Sequence, residues 1–397
     1  MQSAYETWDC DAQRLNPTIK LSTWRAIVLL LADFWESHTM KQSTLALLAT
    51  GVLSVMLFAP PSFADDYSAG KAMDIGEGSR AVGTAEFKGA KAKAVPGITA
   101  DRGASRAVEL DPAAAAKAFT IIGRTSDGKD VKIEPGANVI DAITSGEKKT
   151  SIEGDGVDPV ADEDGGARDV VGADERLPIT NTAKYPFSTV GYLQMENKKG
   201  EVWSCTAAMI GPKTALTAAH CLYNHAEQGG WRDKFVFWPA VNGENNAPFG
   251  GFDYDTVYVF QAFITDYDGT YDAVWQYDVG LVTFKDPIGD SLLGWLGYTT
   301  NDIGDFQGNL VGYHDDKPFA TMWRSACNIL AENVSQVDFL HDCDFAGGAS
   351  GAPIYFYDQQ NKARIVAGVN IGPSGNNMNW ALKLYGPVYE WINTINK

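Results

Sequence analysis

Residues 204–221 open as Ser204-Cys205-Thr206-Ala207-Ala208-Met209-Ile210 and close as Leu216-Thr217-Ala218-Ala219-His220-Cys221. Two short apolar runs on either side of a turn predict a β-hairpin. A Cys205–Cys221 clamp across it would hold His220 at the end of a strand. A histidine alone is usually a surface or satisfied core residue. The Thr-Ala-Ala-His-Cys setting is far more selective.

Two further stretches belong with this one. Tyr277-Asp278-Val279-Gly280-Leu281-Val282 puts a carboxylate just before an apolar strand. As the strand begins, that carboxylate is buried and needs a partner. The far ring nitrogen of a histidine can supply one, which fixes the tautomer and stabilises the imidazolium. Gly347-Gly348-Ala349-Ser350-Gly351-Ala352-Pro353 places a serine among glycines. Such a turn exposes a hydroxyl and aims backbone N–H groups at one point. Donors from Gly348 and Ser350 would form an oxyanion hole, worth about 3 kcal/mol per donor in comparable sites. An Asp before a strand or a glycine-rich turn means little alone, since both are common in ordinary turns. Together, in the order His220, Asp278, Ser350, they predict a nucleophilic triad. A hydrolase nucleophile elbow requires Ser before Asp before His, which this chain lacks.

The context is β-rich. Short runs such as Ser188–Leu193, Phe235–Trp238, Thr256–Phe260, Gly280–Phe284, Ala352–Tyr357 and Arg364–Asn370 alternate with Gly/Asn/Asp/Pro turns. This spacing, without helical periods between, predicts an all-β barrel or sandwich. Pro387 to Ile395 predicts a closing helix with Val388, Trp391, Ile392 and Ile395 on one face.

Residues 169–397 resemble the bacterial glutamyl endopeptidases of the chymotrypsin-like serine proteases. The likeness extends to Thr180-Asn181-Thr182-Ala183-Lys184-Tyr185-Pro186, Met209-Ile210-Gly211-Pro212-Lys213-Thr214 and Asp286-Pro287-Ile288-Gly289. It implies two six-stranded antiparallel β-barrels with the triad at their junction, a C-terminal helix and an N-terminal propeptide. It also implies a secreted enzyme that cuts protein or peptide chains and needs no metal or organic cofactor. His225, His314 and His341 show no ligand spacing and read as ordinary loop residues.

Against this family pattern, two pocket positions depart. Phe345 stands five residues before Ser350, where the glutamyl family has Thr or Ser, and Asn370 replaces its pocket histidine. Asp344, six residues before Ser350, sits where trypsin-like enzymes pair with Arg or Lys. The expectation leans to basic residues at the cut, with Glu or Asp as the alternative. Asp344 could equally cap backbone near Cys343. Ala349 replaces the Asp that binds a new N-terminus in trypsin-like zymogens, so the prosegment is expected to act as folding aid and steric block.

The chain has 397 residues, 45% of them hydrophobic, enough for one large domain or two smaller ones. A net charge of −18 makes nucleic acid and anionic membranes poor partners. Of five cysteines, Cys205, Cys221, Cys327 and Cys343 form two close pairs with no CxxC spacing, while Cys10 stands alone. Paired disulfides require an oxidising compartment. Met40-Lys41, the apolar run Leu45 to Phe58 and the small-residue end at Ala64 predict an export signal over 40–64. Residues 1–39 then read as an upstream extension foreign to the native protein.

Residues 65–168 read as a propeptide and linker, partly disordered. Within them Ala113–Ala116 suggests a short helix and Val131–Ile133 a strand. Asp155–Gly166 reads as a solvated linker, in preference to a calcium loop built on Asp162-Glu163-Asp164. Arg168-Asp169-Val170-Val171-Gly172 resembles the mature start of bacillary relatives. The whole predicts a bacterial secreted or periplasmic monomer whose partners are peptide substrates and its own propeptide, with no membrane contact after export. The rival reading is a catalytically silent binding protein on the same scaffold.

Overall fold

The computed structural model describes Phe87 and residues 92–100, 111–144, 174–225, 230–300, 304–375 and 378–396. The export signal, Cys10, the acidic linker and the Arg168–Asp169 junction lie outside the described residues.

Two sheets organise the chain. In the first, the strands Lys234–Pro239, Val190–Glu196, Val202–Met209, Thr214–Thr217, Gly280–Thr283 and Thr256–Phe260 follow one another as antiparallel neighbours. The sheet closes because Phe252–Asp253, on the way into Thr256–Phe260, pairs with Val236–Phe237. In the second, Asp338–His341, Met378–Lys383, Ala363–Gly375, Pro353–Asp358, Phe306–Tyr313 and Met322–Ile329 do the same. This is the expected all-β architecture of two barrels. Closure hides sheet edges, and the alternating faces supply the core.

The predicted strands sit where the sequence put them, with small shifts. The first starts at Val190 because Phe187–Thr189 forms a single buried 3₁₀ turn. The C-terminal helix is Gly386–Ile395, with Pro387 in its first turn, where no N–H is needed. Val388, Trp391 and Ile392 are buried at i, i+3 and i+4, and Trp391 packs 4.4 Å from the Phe260 ring.

The segment ahead of the barrels carries more structure than its composition suggested. Pro112–Ala118 is a helix capped by Asp111, whose side chain accepts the N–H groups of Ala113 and Ala114. Ile121–Thr125 and Asp130–Ile133 form a hairpin that extends the first sheet by pairing with Thr256–Phe260. A further helix, Ala137–Thr144, lies against the C-terminal helix, with Asn138 Nδ2 donating to Glu390 Oε2 at 2.6 Å. Apolar residues Phe119, Ile121 and Val139 join the larger buried apolar cluster, which includes the first sheet and the C-terminal helix. Their burial offsets the ordering entropy that a purely polar linker could not.

Among the described residues no helix is long and apolar enough to cross a membrane.

Candidate active site

His220 lies in a single helical turn, Ala219–Leu222, directly after the strand Thr214–Thr217. Cys221 is bonded to Cys205 on the neighbouring strand, so the turn is anchored covalently beside the histidine. Asp278 follows the 3₁₀ turn Trp275–Tyr277 and precedes the strand Gly280–Thr283. Its carboxylate is fully buried and makes two bonds to one residue: Oδ1 accepts the His220 backbone N–H at 2.8 Å, and Oδ2 lies 2.6 Å from His220 Nδ1. With Nδ1 held by the carboxylate, Nε2 is the nitrogen left for proton transfer.

Ser350 sits in the turn between Asp344 and Pro353. Its Oγ and His220 Nε2 are both buried without a hydrogen-bond partner, so the Ser–His bond is not made in this structure. A buried hydroxyl and a buried ring nitrogen left unpaired here keep both groups open to an outside partner. Gly348 and Gly351 flank the serine with φ of 87° and 82°, a left-handed conformation that a side chain would strain. Three residues brace the turn through four hydrogen bonds. Thr206 Oγ1 donates to the Gly348 carbonyl at 2.9 Å, and His314 Nδ1 accepts the Ala346 N–H at 3.1 Å. Asn370 Nδ2 donates to the Ala349 carbonyl at 3.0 Å, and Thr206 N–H donates to the Ser350 carbonyl at 2.9 Å.

The expected pocket residues divide. Asn370 is fully buried and spends its amide on Ala349. Phe345 packs against the second barrel's apolar cluster. Asp344 Oδ2 accepts the Glu175 N–H at 2.8 Å, while its own N–H donates to Ser325 Oγ. Cys327 is bonded to Cys343, next to Asp344.

The reading of His314 and His341 as ordinary loop residues needs correcting. His341 ends the strand Asp338–His341 and is fully buried, and His314 follows Phe306–Tyr313 and is nearly so. Burial, reinforced by the Arg176 charge, pushes His314 down to about 3, and burial takes His341 to about 3. Both are neutral structural groups. Of His225, His314 and His341, only His225 is partly exposed, stacked 3.9 Å from the Tyr267 ring. Sequence reasoning also missed the bracing roles of Thr206 and His314. Thr206 stands inside the Ser-Cys-Thr-Ala-Ala stretch, but nothing local marks His314.

Among the described residues, two groups of side chains cluster closely enough to hold a metal: Cys205, His220 and Cys221, and Cys327, His341 and Cys343. Each consists of a disulfide plus one histidine. Oxidised sulfurs offer no thiolate, so the donor sets do not fit a metal ion.

The family model Trypsin matches residues 179–295, a span that includes His220 and Asp278 and ends before Ser350. A glutamyl endopeptidase of Bacillus licheniformis is 30% identical over 190 residues, 47% of this chain and 55% of the relative. An extracellular metalloprotease of Bacillus subtilis is 26% identical over 212 residues, 52% of this chain and 64% of the relative. A glutamyl endopeptidase of Staphylococcus aureus is 28% identical over 214 residues, 52% of this chain and 53% of the relative. The chain thus spans less than two thirds of the length of these curated relatives. A solved Glu endopeptidase in complex with MPD aligns with a TM-score of 0.48 at 24% identity, covering 57% of this chain and 99% of that one. The resemblance to chymotrypsin-like serine proteases, with glutamyl endopeptidases among the relatives, is borne out by the family match and these relatives.

Proposed function

We propose that residues 169–397 form a serine endopeptidase, exported and made as a zymogen, that uses His220, Asp278 and Ser350 as its triad. The observation carrying this reading is the doubly bonded Asp278–His220 pair, with His220 Nε2 and Ser350 Oγ left as buried orphans beside a braced glycine turn.

In the reaction, Ser350 Oγ attacks the scissile carbonyl as its proton passes to His220 Nε2. The developing oxyanion meets the N–H groups of Gly348 and Ser350. His220 then gives the proton to the leaving amine, and the C–N bond breaks to leave an acyl-enzyme. Water, deprotonated by the same nitrogen, attacks the ester and releases the carboxylic acid, restoring Ser350. Asp278 stabilises the imidazolium at both proton transfers. Every proton is accounted for by these side chains and water.

For the residue on the acyl side of the cut, the Asp344 carboxylate in the turn leading to Ser350 supports a basic preference. A second reading, cleavage after Glu, is favoured by two observations. Asp344 Oδ2 is already engaged by the Glu175 N–H, and relatives carry the name glutamyl endopeptidase. Digesting a peptide library and mapping the cut sites by mass spectrometry separates them. Cuts after Arg and Lys support the first, and uniform cuts after Glu overturn it. N-terminal sequencing of the secreted active form is expected to read Asp169; an active form that keeps residues 65–168 would contradict the zymogen reading.

A further inference from the structure

One stretch ahead of the barrels occupies the site just described. Lys93–Ala94 pairs in parallel with Trp203–Ser204, and the Val95 N–H donates to the Ser204 carbonyl at 2.9 Å. The Val95 carbonyl accepts the Gly348 N–H at 3.2 Å, the donor assigned to the oxyanion. Two residues further on, Gly97 packs on the backbone of Gly372, and the Ile98 N–H donates to the Ile371 carbonyl at 2.9 Å. Lys93 Nζ lies 5.3 Å from the Trp203 ring centre, and Phe87 packs 4.7 Å from the Trp238 ring. With this stretch in place, Ser350 is 0% exposed and His220 3%.

The stretch runs the wrong way for cleavage. A leaving amine must lie within reach of His220, whose neighbour Cys221 is tied to Cys205, the residue after Ser204. The C-terminal half of a substrate therefore departs over Ser204, and its N-terminal half lies along Asn370–Gly372. Here the N-terminal end lies over Ser204 and the C-terminal end over Ile371. Run in this direction, the chain carries the nitrogen after the Val95 carbonyl toward Ile371 rather than toward Ser204, and that nitrogen belongs to Pro96, which has no N–H.

We propose that residues 93–98 are a built-in inhibitor strand, threaded through the cleft opposite to a cleavable peptide, with the Val95 carbonyl seated on the Gly348 N–H. This rests on the reading of Ser350 as nucleophile. The strand is tethered by the hairpin Ile121–Ile133, which pairs with Thr256–Phe260. Fixing the occupant in its bound shape lowers the entropy lost on binding. Gly97 is the point of closest approach: a Cβ there would stand 2.7 Å from Gly372 Cα and 3.1 Å from the Ile371 oxygen, both backbone atoms that cannot step aside.

The test uses the secreted full chain, treated with a biotinylated fluorophosphonate and resolved by size into long and processed forms. The variants are Gly97→Leu, which removes the room for the strand, and Val95→Pro, which removes its N–H bond to Ser204 and guards against misfolding of the first. The wild-type long form should label at least about tenfold more slowly than its processed form, in proportion to the fraction of open cleft. The long forms of the variants should label at close to the processed rate. Equal labelling of the two wild-type forms, or variant long forms as slow as wild type, overturns the inhibitor strand. A processed form that never labels overturns instead the nucleophile beneath it.

Discussion

Thr206 Oγ1 donates to the Gly348 carbonyl at 2.9 Å while accepting the Tyr313 N–H at 3.1 Å, so one first-barrel side chain holds the nucleophile turn against the second barrel. In the proposed reaction the threonine touches no reacting atom and acts by positioning Gly348, the proposed oxyanion donor. Thr206→Val keeps shape and loses both bonds. It should lower kcat about tenfold with little change in KM, the worth of a bond of roughly 1.4 kcal/mol. Steady-state kinetics on a short peptide checks the split, and Thr206→Ser should restore most of kcat.

Asp278 uses one carboxylate for both the backbone and the ring of His220. Asp278→Asn keeps the volume but can present an amide N–H to Nδ1, which favours the wrong tautomer. A fall in kcat of about 10⁴-fold is expected. Loss of less than about tenfold in the same assay would mean the pair is structural only.

Gly351 has φ of 82°, and a Cβ there would run into Thr217 Oγ1 and the Thr206 carbonyl. Gly351→Ala should cost about 3 kcal/mol of stability from strain and overpacking together. Urea unfolding of the purified variant measures it. An unchanged midpoint would show that the turn relaxes freely.

His314 and His341 are held neutral down to about 3, against an ordinary value of 6.5. Between those values the unfolded chain binds the more protons, so stability rises with pH through this window. Each histidine contributes up to about 1.4 kcal/mol per pH unit. Stability should therefore fall on going from pH 6.5 to 4.5, before most carboxylates titrate. His314→Gln, which can still accept the Ala346 N–H, should flatten that slope by one histidine's share. Chemical denaturation at several pH values reads it directly.

The barrels, the strand-end places of His220 and Asp278 and the glycine turn around Ser350 were legible because each depends on local pattern: alternation, turn glycines and short apolar strands. His314 and His341 were misread because burial is decided by strands that pack from far along the chain. The ordered stretch before the barrels was half legible. Pro112–Ala118 and Asp130–Ile133 matched their local signals. The seat of Val95 on Gly348 had no local sign at all, because a bond across 253 positions of sequence follows from tertiary docking alone. Asp344 shows the same limit, since its partner Glu175 lies on a distant strand-edge segment.

If Ser350, activated by His220, cuts peptide bonds through an acyl-enzyme, its hydroxyl is the group that a fluorophosphonate captures. Intact-mass spectrometry of the processed protein after fluorophosphonate treatment, with peptide mapping of the adduct, tests this most directly. One adduct on Ser350, abolished in Ser350→Ala and strongly slowed in His220→Ala, with peptide cleavage lost in step, is the result predicted. Full peptide cleavage by Ser350→Ala, or an adduct on another residue, would contradict it.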